Sequence, residues 1–389
     1  MKKTILLLLA LCLFAGNTYS QNSKSKDVYV EIPYKLSSGI PVVEVLIKGK
    51  PYKFVVDTRA LKTYIVRRIV DEQSLKLRKK TKNVGDGQGI RKQQQLAVIN
   101  DMKVGGISFK TSEAAVSEND SYLFSRYDFD GIIGGDFLKR FVVKFDSRAK
   151  TITLTTDALR LVSDQQQWNK MKIYSLKTYI PIPLKGGGTD SYLFDSGSGM
   201  STFDIDTARY RIYKQRDLFD FSDEETGYGA TSVGLHGERA YEKRIRATAP
   251  ELNVGGYIFR NVPVQTTRVS KIGFIVANYG DIILDYTGER YCFIPHQAEA
   301  DWTDTRGKVG FSVIDSSLVV SLIWGEEYGR FTIGDKLVMI GNKRLDTIDR
   351  CYRRSISPLI KEHITTDNDT ILFEKADGER YAVPADFFL

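Results

Sequence analysis

The stretch "FVVDTRALKTYI", residues 54–65, drives an apolar run into Asp57 and then bends through Thr58 and Arg59. Aspartate is a poor strand residue and costly to bury alone. A single aspartate in this setting reads as a turn former that caps backbone N–H groups. This sequence carries the feature twice. "DSYLFDSGS", residues 190–198, runs into Asp195 and matches "YKFVVDTRA", residues 52–60.

The flanking segments repeat in the same order. "KVGGISF" (103–109) recurs as "NVGGYIF" (253–259), and "VVKFDSRAKTITL" (142–154) as "IILDYTGERYCF" (282–293). The offsets are 195 − 57 = 138 for the aspartates, 254 − 104 = 150 for the V-G-G units, and 285 − 146 = 139 for the last pair. Each copy therefore reads as strand, Asp turn, Gly-rich hairpin, V-G-G strand pair, short helix and final hairpin. The Gly-rich hairpins are "VGDGQG" (84–89) and "GYGATSVGLHG" (227–237). No helix follows "GDGQG", so it is not a phosphate loop. "IIGGDFLKRF" (132–141) gives a strand end, two glycines and a helical turn, and "IGFIVANYG" (272–280) fills the same slot in the second copy.

A duplicated lobe folding about a pseudo-two-fold axis brings equivalent residues face to face. Two carboxylates in contact cannot both ionise easily and share a proton. One then serves as base toward a water while the protonated one polarises a carbonyl. That pair hydrolyses peptide bonds without a metal, and no cofactor is expected.

On these motifs the chain resembles the aspartic peptidases, in the form of secreted bacterial retropepsin-like proteins with two lobes fused. "DTR" (57–59) and "DSG" (195–197) are similar to the D-[TS]-G signature, and "GIIGG" (131–135) to the apolar-apolar-Gly motif. The resemblance implies an all-β, duplicated, bilobed β-barrel fold with Asp57 and Asp195 as the catalytic dyad. Thr58, Ser196, Gly197, Gly134 and Gly273 would support the active-site loops. Gly85, Gly87, Gly89, Tyr228 and Gly229 would lie in flaps over the cleft. The C-terminal "IGDKLVMIGNKRL" (333–345) resembles a PDZ domain, with Gly310 and Phe311 in its carboxylate loop. Such an α+β module binds extended peptides by strand addition.

The expected organisation is a signal peptide at 1–20, lobe 1 at 27–156, a connecting segment at 157–178, lobe 2 at 179–298 and the PDZ-like domain at 305–389. Lys2 and Lys3, the apolar run 5–16 and "TYS" (18–20) form a secretory signal too short to span a bilayer. Cys12 lies inside that apolar run, so lipid anchoring is not expected. The mature chain is expected to be periplasmic or secreted, with no transmembrane segment. Of 389 residues, 20 are Phe, 21 Tyr and 32 Gly, which favours a β-rich, turn-rich chain. The net charge of +8 is dispersed and accompanies no nucleic-acid motif. The three histidines, His236, His296 and His363, lie on separate segments, so neither a metal site nor a histidine triad is expected. Cys292 and Cys351 fall in different domains and read as two thiols.

Arg59 departs from the pattern, standing where the signature has glycine. A side chain there resists positive φ, at about 1–2 kcal/mol. Its cation, pointing inward onto Asp57, would favour the ionised carboxylate and disable the shared proton. Two functions follow: a peptidase acting on a peptide or protein substrate, with Arg59 outward, or an inactive peptide-binding protein, with Arg59 inward.

Overall fold

A computed structural model describes residues 27–388, except 80, 86–90, 110–111, 120, 122, 125–126, 200, 231–232, 235–236, 239–240, 303–306, 315–316 and 346–368. The signal segment, Gly87, Gly89, His236, Cys351 and His363 lie outside the described residues.

The chain is almost entirely β, and its two halves repeat one topology. In lobe 1 the strand Lys50–Val56, which delivers Asp57, pairs in parallel with Gly131–Ile133. That short strand is flanked on its other edge by Tyr64–Val66, antiparallel, which in turn runs parallel to Ser112–Ser117. In lobe 2 the strand Thr189–Asp195 pairs in parallel with Lys271–Gly273. That strand is flanked antiparallel by Phe203–Asp206, which runs parallel to Tyr257–Thr267. The same weave, with the same mixture of senses, occurs twice. The V-G-G units turn hairpins in both lobes, with Gly105, Gly106, Gly255 and Gly256 all at positive φ, a conformation glycine adopts without strain.

The lobes join edge to edge through their final hairpins. Val142–Asp146 pairs antiparallel with Gly280–Asp285, and Lys144 sits opposite Ile283. Since 283 − 144 = 139 is also the offset of the repeat, Lys144 faces its own equivalent, and the pseudo-two-fold axis passes between them. Lys144 Nζ bridges Asp146 (3.1 Å) and Asp281 (2.8 Å) across this junction. His296 Nε2 lies 2.7 Å from Asp281 Oδ1. Asp146 and Asp281 thus share one ammonium. One continuous apolar core runs through both lobes, from Ile32 to Trp302.

Two expectations about boundaries are refined. The polar connecting segment is not idle: Asn169–Lys170 pairs with Arg290–Pro295, and Lys172–Tyr174 opens the lobe 2 sheet. The C-terminal region has its own core, built from Leu318, Val320, Phe331, Leu337 and Phe373, yet it is docked. Its strand Ser317–Trp324 pairs with the lobe 2 hairpin strand Ser222–Gly229, placing Gly227 opposite Trp324 and Tyr228 opposite Ile323. Arg246 stacks over Trp324 at 4.9 Å and forms an ion pair with Glu225, which Lys308 meets at 3.0 Å. Trp302, between the expected end of lobe 2 and the expected start of the PDZ-like domain, is buried against Phe259 and Tyr279.

The closing hairpin, Thr370–Glu374 with Arg380–Pro384, has Gly378 in its turn at φ 88°. Phe311 stacks on Phe373 and packs at a tilt against Phe388, and Gly310 approaches Leu322. Cys292 is a free, buried thiol whose pKa burial pushes up to about 11. No helix among the described residues is long and apolar enough to cross a membrane.

Candidate active site

The two Asp turns meet at the lobe interface and lock together through four hydrogen bonds. The Thr58 hydroxyl donates to Phe194 O (2.7 Å) and accepts from Ser196 N (3.1 Å). The Ser196 hydroxyl donates to Val56 O (2.7 Å) and accepts from Thr58 N (2.9 Å). The pattern is reciprocal: 196 − 58 and 194 − 56 both equal 138. Thr58 and Ser196 are fully buried, so every donor and acceptor lost here would stay unsatisfied. A hydroxyl residue after each aspartate is what this geometry demands.

The motif glycines are required by space, not by backbone angle. A Cβ on Gly134 would lie 2.8 Å from Ala60 O, and one on Gly273 2.8 Å from Ser198 O. In each lobe the Asp loop passes directly over the glycine and hydrogen-bonds beside it: Gly135 N donates to Ala60 O (2.7 Å) and Phe274 N to Ser198 O (2.8 Å). Gly197 is equally confined, since its Cβ would stand 2.7 Å from Asp57 Cγ. The third residue of each turn therefore faces the aspartate of the other lobe.

That rule places Arg59. Its guanidinium points inward, but onto Asp195, with Nη1 3.3 Å from Asp195 Oδ2. Of the two orientations left open by the sequence, outward or inward onto Asp57, the structure has neither: the pair is made across the lobes. The cause is the two-fold geometry: Arg59 occupies on Asp195 the place that Gly197 leaves open on Asp57. The expected backbone strain is also absent, because Arg59 is not among the residues at positive φ. Asp57 meets Arg59 only through the main chain, its Oδ1 accepting from Arg59 N (2.8 Å) and Ala60 N (3.1 Å).

A second cation reaches the same oxygen. Lys271 Nζ lies 3.4 Å from Asp195 Oδ2, 2.7 Å from the Ser198 hydroxyl and 3.6 Å from Asp204 Oδ2. In lobe 1 the matching strand positions hold Ile132 opposite Tyr64, where lobe 2 has Lys271 opposite Asp204. The buried ion pair is peculiar to the second lobe. The "KIG" at 271–273, set against "IIG" at 132–134, carries the only sequence sign of it.

The two carboxylates are driven in opposite directions. Enclosure between the lobes and the charge of Asp195 push the Asp57 pKa up to about 6, against the pull of the Arg59 and Ala60 N–H groups. Asp195 is buried too, which alone would raise it, but Lys271 and Arg59 hold it below the usual carboxylate range. Lys177, at the start of the strand Lys177–Pro183, shares the field of Arg59, Asp57 and Asp195, and burial lowers its pKa. Sequence reasoning missed Lys271, Asp204 and Lys177 as site residues.

Residues 43–140 match the family model of the gag-polyprotein putative aspartyl protease. That segment contains Asp57, Thr58, Arg59 and Gly134, so the match covers the first Asp turn and its motif glycine and supports an aspartyl-protease-like reading of lobe 1. No curated protein matches the chain. The role of lobe 2 in the protease-like site therefore rests on the repeated topology and on the reciprocal Thr58–Ser196 hydrogen bonds.

The flap residues fall in hairpins. Gly85 ends the strand Lys82–Gly85, paired with Arg91–Gln94. Tyr228 and Gly229 lie in the stem of the lobe 2 hairpin, hydrogen-bonded to the C-terminal strand, and Tyr228 is half-exposed beside Tyr241.

Proposed function

We propose that the chain is an extracytoplasmic peptide-binding protein built on an aspartic-peptidase cleft, with its dyad latched against hydrolysis. The observation that carries this reading is the double pairing of Asp195 Oδ2 with Arg59 and Lys271. A carboxylate neutralised by two buried cations is a poor acceptor for the proton of an attacking water. The C-terminal domain, read as PDZ-like, would add a second peptide-binding surface.

One observation favours a working peptidase instead. A raised Asp57 beside a depressed Asp195 is the one-proton state such a dyad uses. That enzyme would use Asp57 as the acid and Asp195 as the base, and would work below pH about 6. Cleavage of a randomised peptide library by the mature protein separates the two. Wild-type cleavage abolished by Asp57→Asn supports the peptidase. Cleavage absent in wild type and gained in Arg59→Gly supports the latched protein.

A further inference from the structure

The pseudo-two-fold relation shows that the cations around the site break its symmetry. Three positions around the dyad carry a cation whose symmetry mate is neutral. Arg59 corresponds to Gly197, and Lys271 to Ile132. The third is Lys177. Val42 pairs with Val55 and Tyr179 with Leu193, its equivalent, which sets Lys177 against the buried Ile40. The turns before them agree: Ser38 and Gly39, like Ser175 and Leu176, are all at positive φ. The lobe 2 turn lies on lobe 1 beside the Asp57 loop, with Leu176 Cβ where a Cβ on Gly135 would meet it at 2.9 Å.

The three cations face three acids, Asp57, Asp195 and Asp204. Arg59 and Lys271 are paired with Asp195, and Lys271 also with Asp204. Lys177 is partly buried, and among the described residues its ammonium makes no hydrogen bond or ion pair. Arg59 repels it, while Asp57 and Asp195 attract it from beyond contact distance. When Asp57 holds its proton, below pH about 6, the three cations outnumber the two remaining carboxylates by one, and Lys177 is the cation with no carboxylate in contact. A half-desolvated ammonium without a partner is the natural seat for an anion that arrives with the ligand.

We propose that Lys177 is a specificity residue that receives a carboxylate of the bound peptide next to Asp57 and Asp195. This rests on the peptide-binding reading above. The carboxylate is either an internal acidic side chain or a free C-terminus, and both offer the same oxygen pair to Lys177.

The test is fluorescence anisotropy on the full mature chain with labelled, randomised decapeptide pools. One pair of pools fixes Glu or Gln at the centre with amidated C-termini. A second, neutral pair differs only in a free or amidated C-terminus. In wild type, the Glu pool or the free-carboxylate pool is expected to bind about tenfold tighter than its neutral mate, and which one does so identifies the source. Lys177→Gln is expected to bring that ratio to about one, and Lys177→Arg to keep it. Equal binding within both pairs in wild type overturns the inference and leaves peptide binding standing. A ratio that survives in Lys177→Gln overturns the assignment to Lys177. Failure of every pool to bind overturns the peptide-binding reading, and this inference with it. The wild-type comparison needs no variant, and unfolding midpoints of both variants confirm that they fold.

Discussion

Replacing Arg59 with glycine makes the lobe 1 turn identical in type to the lobe 2 turn, where Gly197 stands. The guanidinium lies 3.3 Å from Asp195 Oδ2, with only 15% of its side chain exposed. At an effective dielectric constant of about 20, an attraction at that distance is about 5 kcal/mol before desolvation is charged against it. The net loss is much smaller, because Lys271 remains 3.4 Å from the same oxygen and Asp195 is not left bare. A destabilisation of about 1–3 kcal/mol is expected, including about 0.5–1 kcal/mol for the added backbone freedom of glycine. Urea unfolding measures it. Both carboxylates lose a cation that lowers their pKa values, so both rise and the pair holds its shared proton more firmly. Peptidase activity is expected to appear, with a rate gain of at least about 100-fold, the lower range for restored acid–base participation. Library cleavage followed by mass spectrometry reads it out. Where Lys271 alone sustains the latch, Arg59→Gly/Lys271→Ile, which copies Ile132 of lobe 1, restores activity. An inert double variant that folds and still binds peptide would refute the latch.

Ser196→Ala removes the donor to Val56 O and the acceptor for Thr58 N; a loss of about 2–4 kcal/mol is expected in urea unfolding. The Asp57 pKa lies above its ordinary value, at about 6, so its stabilising contribution is full below pH about 4 and lost as pH rises through about 6. Asp57→Asn is therefore expected to flatten the fall in stability between those values, measured by thermal unfolding across pH. Trp324→Ala takes away the ring that covers Gly227 and underlies Arg246. A loss of about 3–5 kcal/mol is expected, with hydrogen exchange rising in both Ser222–Gly229 and Ser317–Trp324 if the two strands form one unit.

The duplication was legible because strand order, turn glycines and aspartates recur at offsets that barely change. Gly134 and Gly273 were legible for the same reason, and the close passage of Ala60 O and Ser198 O explains why. The direction of Arg59 was not. Sequence shows that position 59 matches position 197, but not that each turn's third residue faces the opposite lobe's aspartate. That is a property of the assembled interface. Lys177 was hidden differently, in a segment whose polarity suggested a connector, although it begins a strand whose alternate residues Thr178, Ile180 and Ile182 are buried. The docking of Ser317–Trp324 on the lobe 2 hairpin left no trace either, since edge pairing is made by main-chain groups that every residue carries.

Retention of both aspartates looks like an argument for catalysis, yet the structure gives each one a second role. Asp57 caps its own turn through two backbone N–H groups. Asp195 is the counter-charge for Arg59 and Lys271. Asparagine at position 57 still offers an oxygen to both N–H groups and removes a carboxylate whose ionisation is disfavoured, so Asp57→Asn is expected to be neutral or stabilising at neutral pH. Asparagine at position 195 leaves two largely buried cations facing an amide, and a loss of about 3–5 kcal/mol is expected. A dyad kept only for chemistry would show no such asymmetry: removing either member of a like-charged pair relieves repulsion, so both variants would be neutral or stabilising. Parallel unfolding of Asp57→Asn and Asp195→Asn therefore tests whether Asp195 is held in place by the cations around it. Equal or stabilising effects at the two positions would show that the ion pairs at Asp195 contribute nothing to the fold, and the electrostatic latch would lose its physical basis.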